Sequence, residues 1–451
     1  MARMLTLTFL SLLAFMSCER NEPIPTSFFS VAGDAMTSPL SIKVTGLEPD
    51  AAYKIYLEVF WVDHLKYCSS ADFFSDSIQT INNAGNHASR GSYTGVDADG
   101  LFWSATPCGA HSFDRLELTN TEYEALSHPV KLNFRVTETG MLPFSNKLVA
   151  RRSVIVDLWA ADRLDTGHGQ ATKHIILNGD VNNQKDRPFI ILIGGSSPGF
   201  SSLPMAGQYA DRGFDVASVA YFGVDGLPEC LARIDVDLVS LDIDNIISSF
   251  AGGRNVAIVG NSRGGELVSL LTLDTPPESI VINNSHAHYM GAVAGKGCEE
   301  EGSSSAWMLR GQELPSITQD DLVDGEDLAE IVQATTRQSP ALADDTRIRL
   351  KRLPNRVLVT GAEDDEVTGV WAARSLRDSL RQYSSSLTVE YFESRGVGHD
   401  TAGYGRVPIS ESDIRRFSRR QEALDYAQRR SIAQKKLIEV VLNFISDQNV
   451  D

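Results

Sequence analysis

At Gly260-Asn261-Ser262-Arg263-Gly264 a serine framed by two glycines follows directly on the apolar run 255–259, and a helical pattern covers 266–273. A buried strand, a sharp turn and a helix in that order leave few folds open. Ser262 must sit on a strained strand-to-helix corner, its hydroxyl presented above a parallel sheet, with the glycines leaving room for the tight backbone. The pentapeptide alone is common by chance; its setting between strand and helix makes it informative. Such a corner predicts attack on an acyl carbon by a serine alkoxide.

A serine hydroxyl is a weak nucleophile near neutral pH, so the corner requires a base and an orienting acid. On this kind of sheet the chain order is serine, acid, histidine, each at the carboxyl end of a strand. The β-rich run 356–360 leads into the acidic loop Gly361-Ala362-Glu363-Asp364-Asp365, and the strand 387–392 leads into Gly396-Val397-Gly398-His399-Asp400. One helix, 370–382, separates the two strands, as a βαβ unit needs. His399 is the expected base. Asp364 is the expected acid because it lies three residues past Gly361, with Asp365 and Glu363 as alternatives in the same loop.

Charge developing on the carbonyl oxygen calls for two backbone N–H donors. The residue after the nucleophile, Arg263, supplies one. The turn Gly194-Gly195-Ser196-Ser197-Pro198-Gly199 after the strand 189–193 supplies the other, from Gly195 or Ser196. No Lys-Ser/Thr pair follows that turn in the P-loop arrangement, so phosphate cradling is not its expected role.

With 41 basic against 59 acidic residues the chain carries a formal charge of −18, which disfavours nucleic acid or an anionic membrane surface as partner. Residues 1–18 read as an export signal: Arg3 begins it and an apolar stretch too short to span a bilayer follows. Phe15-Met16-Ser17-Cys18 then resembles a bacterial lipobox, with Cys18 as the lipidated residue, and 19–36 reads as a linker. The expected location is a bacterial periplasm or cell surface, with the membrane touched only through that anchor; without an export signal the location is the cytoplasm. Four further cysteines, Cys68, Cys108, Cys230 and Cys298, could form one disulfide in each half of the chain; the spacing leaves three connectivities open. No cysteine or histidine spacing matches a metal site, and no cofactor is expected.

Short alternating strands separated by turn residues over 37–160 predict an immunoglobulin-like β-sandwich. From 161 to 451 strands alternate with helices, at 189–193, 214–220, 255–259, 279–283, 356–360 and 387–392, which predicts an α/β domain with a largely parallel sheet. The stretch 286–347 is too long for a simple connection and is expected to form a lid or cap. His286 and His288 stand in it, as pocket-lining groups or as ordinary loop histidines. The chain from 413 to 447 is expected to be helical, its stripe made by Leu424, Ala427, Ile432, Leu437, Val440, Val441 and Phe444.

Two segments carry a resemblance. Gly91-Ser92-Tyr93-Thr94-Gly95-Val96-Asp97-Ala98-Asp99-Gly100-Leu101-Phe102-Trp103-Ser104 and Ala220-Tyr221-Phe222-Gly223-Val224-Asp225-Gly226-Leu227-Pro228, with Gly46-Leu47-Glu48-Pro49 and the three active-site motifs in order, resemble the acyl-CoA thioesterase and bile acid-CoA:amino acid N-acyltransferase family. The resemblance implies a β-sandwich ahead of an α/β-hydrolase domain and acyl transfer from a small thioester, acyl-CoA in the family, through a covalent acyl-enzyme. It implies Ser262, Asp364 and His399 as the triad. Members that conjugate amines usually carry cysteine as nucleophile, so Ser262 leans towards water as acceptor. N-acyl transfer to an amine is the alternative, and a surface-anchored binding protein with an inactive hydrolase domain is a third reading. Fatty acyl-CoA is cytoplasmic, so either the chain is not exported or its substrate is another acyl ester, amide or thioester.

Overall fold

Strand residues that are apolar at every position, with no alternation, can be satisfied only by burial on both faces. Phe189–Ile193 is such a strand. In the computed structural model, Phe189, Ile191 and Ile193 pack into one apolar cluster while Ile190 and Leu192 pack into another on the opposite face. The structure describes residues 28–32, 41–62, 65–108, 130–139, 147–157, 163–179, 187–293, 298, 301–350, 354–383, 387–396, 398–399 and 420–446. The expected signal segment and Cys18 lie outside them.

Numbered within its own sheet, the second domain has β1 (Arg163–His168), β2 (Lys173–Leu177), β3 (Phe189–Ile193), β4 (Val216–Ala220), β5 (Val256–Asn261), β6 (Ser279–Asn283), β7 (Arg356–Ala362) and β8 (Thr388–Ser394). They lie side by side in the order β1-β2-β4-β3-β5-β6-β7-β8. The first two strands run antiparallel to their neighbours and every later pairing is parallel. Helices α1 (Arg263–Leu270), α2 (Val370–Tyr383) and α3 (Arg420–Ser446) follow β5, β7 and β8. The carboxyl ends of β3, β5, β6, β7 and β8 therefore share one edge, where an open parallel sheet places its ligands.

The first domain is built from two sheets. Phe28–Ala32, Ser41–Thr45 and Thr80–Asn82 form an antiparallel trio. Ala52–Val62 is the centre of a second sheet, between Leu65–Phe74 and Val130–Glu138, with Lys147–Val156 at its edge. Ile42 and Val44 of the small sheet and Ile55, Leu57 and Val59 of the large one bury into a single cluster. Phe28–Ala32 corrects the expected linker 19–36. Phe29 is buried against Phe134, and the segment pairs with Ser41–Thr45, so the domain has begun by residue 28.

Cys68 pairs with Cys108 and Cys230 with Cys298, one bridge in each domain. Within 286–347, Trp307–Leu309 pairs with Ile234–Asp235 and Gln312–Glu313, and two helices, Leu328–Gln338 and Pro340–Asp345, follow. Helix α3 serves both domains. Leu437, Ile438, Val441 and Phe444 bury against the α/β sheet, whereas Leu424 and Ala427 bury in the core of the first domain. Ile432, expected in the apolar stripe, is 59% exposed, because the helix changes the core it faces around that residue.

Candidate active site

The strand β5 is buried at all six positions and ends at Asn261, so the turn that follows is driven out over the sheet edge. Ser262 sits there at φ 52°, ψ −119°, a conformation that costs a non-glycine residue about 1–3 kcal/mol and is held by its surroundings. Its N–H donates to Asn283 O at 2.9 Å, and its carbonyl accepts from Gly265 N at 2.9 Å. A Cβ at Gly264 would come within 2.4 Å of Gly194 O, so the motif's second glycine is fixed by the approach of the β3 turn.

Three side chains distant in sequence meet above this edge. His399 Nε2 lies 2.9 Å from Ser262 Oγ. His399 Nδ1 lies 3.0 and 3.1 Å from the two oxygens of Asp365. An Nδ1–H donating to the carboxylate leaves Nε2 as acceptor for the serine O–H. Burial would raise the Asp365 carboxyl; the hydrogen bond and charge of His399, with the donors of Thr368, outweigh it and hold the group down at about 2.

The acid expected at Asp364 is therefore placed one residue off. Strand β7 continues to Ala362, beyond the expected end at 360, which delays the loop. Asp365 then turns inward: Val367 N at 2.8 Å and Thr368 N at 3.0 Å donate to Oδ1, and Thr368 Oγ donates to Oδ2 at 2.5 Å. Asp364 faces away from the imidazole and accepts from Gly396 N at 2.9 Å, bracing the histidine loop. The Asp365-x-x-Thr368 spacing, a carboxylate capping its own turn, was the sequence signal for the residue that meets His399.

The β3 turn also arrives as expected. A Cβ on Gly195 would lie 2.9 Å from Ser262 Cβ, so this backbone packs directly on the Ser262 corner, while Ser196 is exposed. Tyr221 O–H donates to Gly195 O at 2.8 Å and reaches Gly194 O at 3.1 Å, pinning the turn from beneath. Arg263 opens α1, where the first backbone N–H groups have no intrahelical partner.

Several residues that spacing did not single out hold this arrangement. Asn284 Nδ2 donates to Gly398 O at 2.9 Å, fixing the residue before His399. The Arg263 guanidinium is buried and donates to Glu266 at 2.9 Å, Met290 O at 2.8 Å and Gly291 O at 2.7 Å. Glu266, fully buried, accepts from Trp307 Nε1 at 2.8 Å and Met290 N at 3.0 Å. These bonds tie α1 to the 286–347 segment. His288 is a structural group, buried with Nδ1 3.1 Å from Thr346 Oγ. His286 is 2% exposed, and burial, then the charges of Arg263 and His399, push it down to about 3, so it is a neutral neighbour of the site.

Comparison with known proteins adds to this geometry. Residues 37–157 match the family model described as the acyl-CoA thioester hydrolase/BAAT N-terminal region. Over 337 residues the chain is 25% identical to acyl-coenzyme A thioesterase 1 of Rattus norvegicus, covering 72% of this chain and 73% of the relative. Among solved structures it is similar to esterase 2 of Thermogutta terrifontis (12% identity, 63% of this chain and 96% of that one, TM-score 0.36). It is also similar to a monoacylglycerol lipase of Paleococcus ferrophilus (13% identity, 63% and 99%, TM-score 0.34).

Proposed function

From a chain that resembles the acyl-CoA thioesterase/BAAT family, through its first domain and its curated relative, we propose a serine hydrolase that cleaves small acyl thioesters or esters. The observation that carries the proposal is the relay from Ser262 Oγ through His399 to Asp365. His399 Nε2 takes the Ser262 proton as Oγ bonds to the acyl carbon. The oxyanion is met by the N–H groups of Arg263 and Gly195, and Asp365 stabilises the imidazolium. His399 then protonates the leaving thiolate or alkoxide as its bond to carbon breaks. Water, deprotonated by His399, attacks the acyl-enzyme, and Ser262 recovers its proton as the acid departs.

The first domain is read as an immunoglobulin-like sandwich and 286–347 as a lid over the acyl pocket, supported by its bonds to α1. Export belongs to the same reading; the Cys68–Cys108 and Cys230–Cys298 bridges support it, since disulfides persist in oxidising compartments. An exported enzyme would take acyl carriers available there, which makes the acyl half of the substrate the recognised part.

The test is Ser262→Ala. Turnover of a p-nitrophenyl ester and of an acyl thioester is expected to fall by about a thousandfold or more, with the thermal midpoint retained. Undiminished turnover in the purified variant, or failure of a fluorophosphonate to label Ser262 in the parent protein, refutes the reading.

A further inference from the structure

The outward face of the large sheet in the first domain has a charge opposite to that of the chain. Counting from the register, Tyr56, Arg135 and Arg151 stand side by side on three adjacent strands, and Glu58, Asn133 and Ser153 form the next rung. These residues line a concavity of about 560 Å³. The chain as a whole carries −18.

Among the described residues two carboxylates of this face are already committed. Glu58 pairs with Lys66 at 2.5 Å and Asp72 with Lys54 at 3.2 Å. Arg135 and Arg151, both exposed, have no carboxylate partner among the described residues. The Arg135 guanidinium lies over the Tyr56 ring, 4.4 Å from its centroid. Stacking orients the guanidinium plane while leaving its N–H edge open, the arrangement suited to an oxyanion. In the next rung Ser153 Oγ donates to Asn133 Oδ1 at 2.8 Å, which leaves the Asn133 amide N–H groups as further donors beside the two cations.

We propose that this concavity binds a phosphate monoester, with Arg135 and Arg151 gripping its oxygens. Two adjacent guanidiniums present two positive charges, and a phosphate monoester carries about −1.5 to −2 at pH 7, whereas a carboxylate or a phosphodiester neutralises only one. The site belongs to the first domain and to none of the acyl chemistry, so it stands or falls independently of the function proposed above.

Isothermal titration of the full chain with inorganic phosphate and with glycerol phosphate, in low-salt buffer, is the test. Saturable binding is expected, weakened at least tenfold by Arg135→Gln and by Arg151→Gln, and weakened further by added salt. Both side chains are exposed, so the variants are expected to fold and to hydrolyse p-nitrophenyl esters at the parent rate. Flotation with vesicles containing phosphatidate or phosphatidylglycerol separates the sources. Capture by phosphatidate alone, lost in both variants, makes the monoester a lipid headgroup; binding of the soluble esters without capture makes it a free metabolite. Absence of binding to every probe, binding untouched by both substitutions, or acetate binding as tightly as phosphate overturns the proposal.

Discussion

At the scale of the residue, two neighbouring aspartates take different partners, Asp365 the imidazole of His399 and Asp364 the backbone of its loop. Asp365→Asn removes the charge against His399 Nδ1 and lets the amide favour the wrong imidazole tautomer. Turnover is expected to fall by about 10³–10⁴. Asp364→Asn keeps an acceptor for Gly396 N and is expected to change turnover by no more than a few-fold; steady-state kinetics on both variants decides. Asp365 also marks the acid limb of stability. Its folded value of about 2 lies below the ordinary 3.8, so the ionised group stabilises the fold above about pH 4, and that contribution is lost as pH falls through about 2. It is worth about 2 kcal/mol, visible as a shallower acid limb in denaturant midpoints of Asp365→Asn. Ser262 and His399 were legible because each follows a strand in a fixed chain order. Choosing between adjacent carboxylates was not, because it turns on where β7 ends, and the strand runs on to Ala362.

At the scale of the element, α1 is held by a buried ion pair rather than by its own length. Eight residues are too few for a stable isolated helix, and every one of them is buried. Arg263 and Glu266 pair there and fasten Met290, Gly291 and Trp307 to the Ser262 corner. Glu266→Ala leaves the guanidinium buried without its counter-charge. A loss of about 3–5 kcal/mol in chemical denaturation is expected, against well under 1 kcal/mol for Arg349→Ala, whose pairing with Asp344 is at the surface. The strands of the α/β sheet could be read from sequence because burial on two faces leaves uninterrupted apolar runs. Phe28–Ala32 could not: it is short, only Phe29 is buried, and its pairing with Ser41–Thr45 is a relation between segments that no single window of sequence displays.

At the scale of the whole molecule, the domains share an element. Asp99, next to the short helix Gly100–Trp103, pairs with Lys435 of α3, and the same helix buries Leu424 and Ala427 among first-domain side chains. Leu424→Ala is expected to destabilise the protein by about 2–4 kcal/mol, read as a lowered midpoint in chemical denaturation. The Gly91–Ser104 segment was recognisable through its resemblance, yet its contact with α3 depended on a partner more than three hundred positions away in the chain.

That sharing sets a timetable for biosynthesis. The two-sheet domain is made before α3, yet Leu424 and Ala427 of that helix close its core. Until α3 is in place an apolar surface of that domain stays open, so a product truncated before α3 is expected to carry a sticky patch.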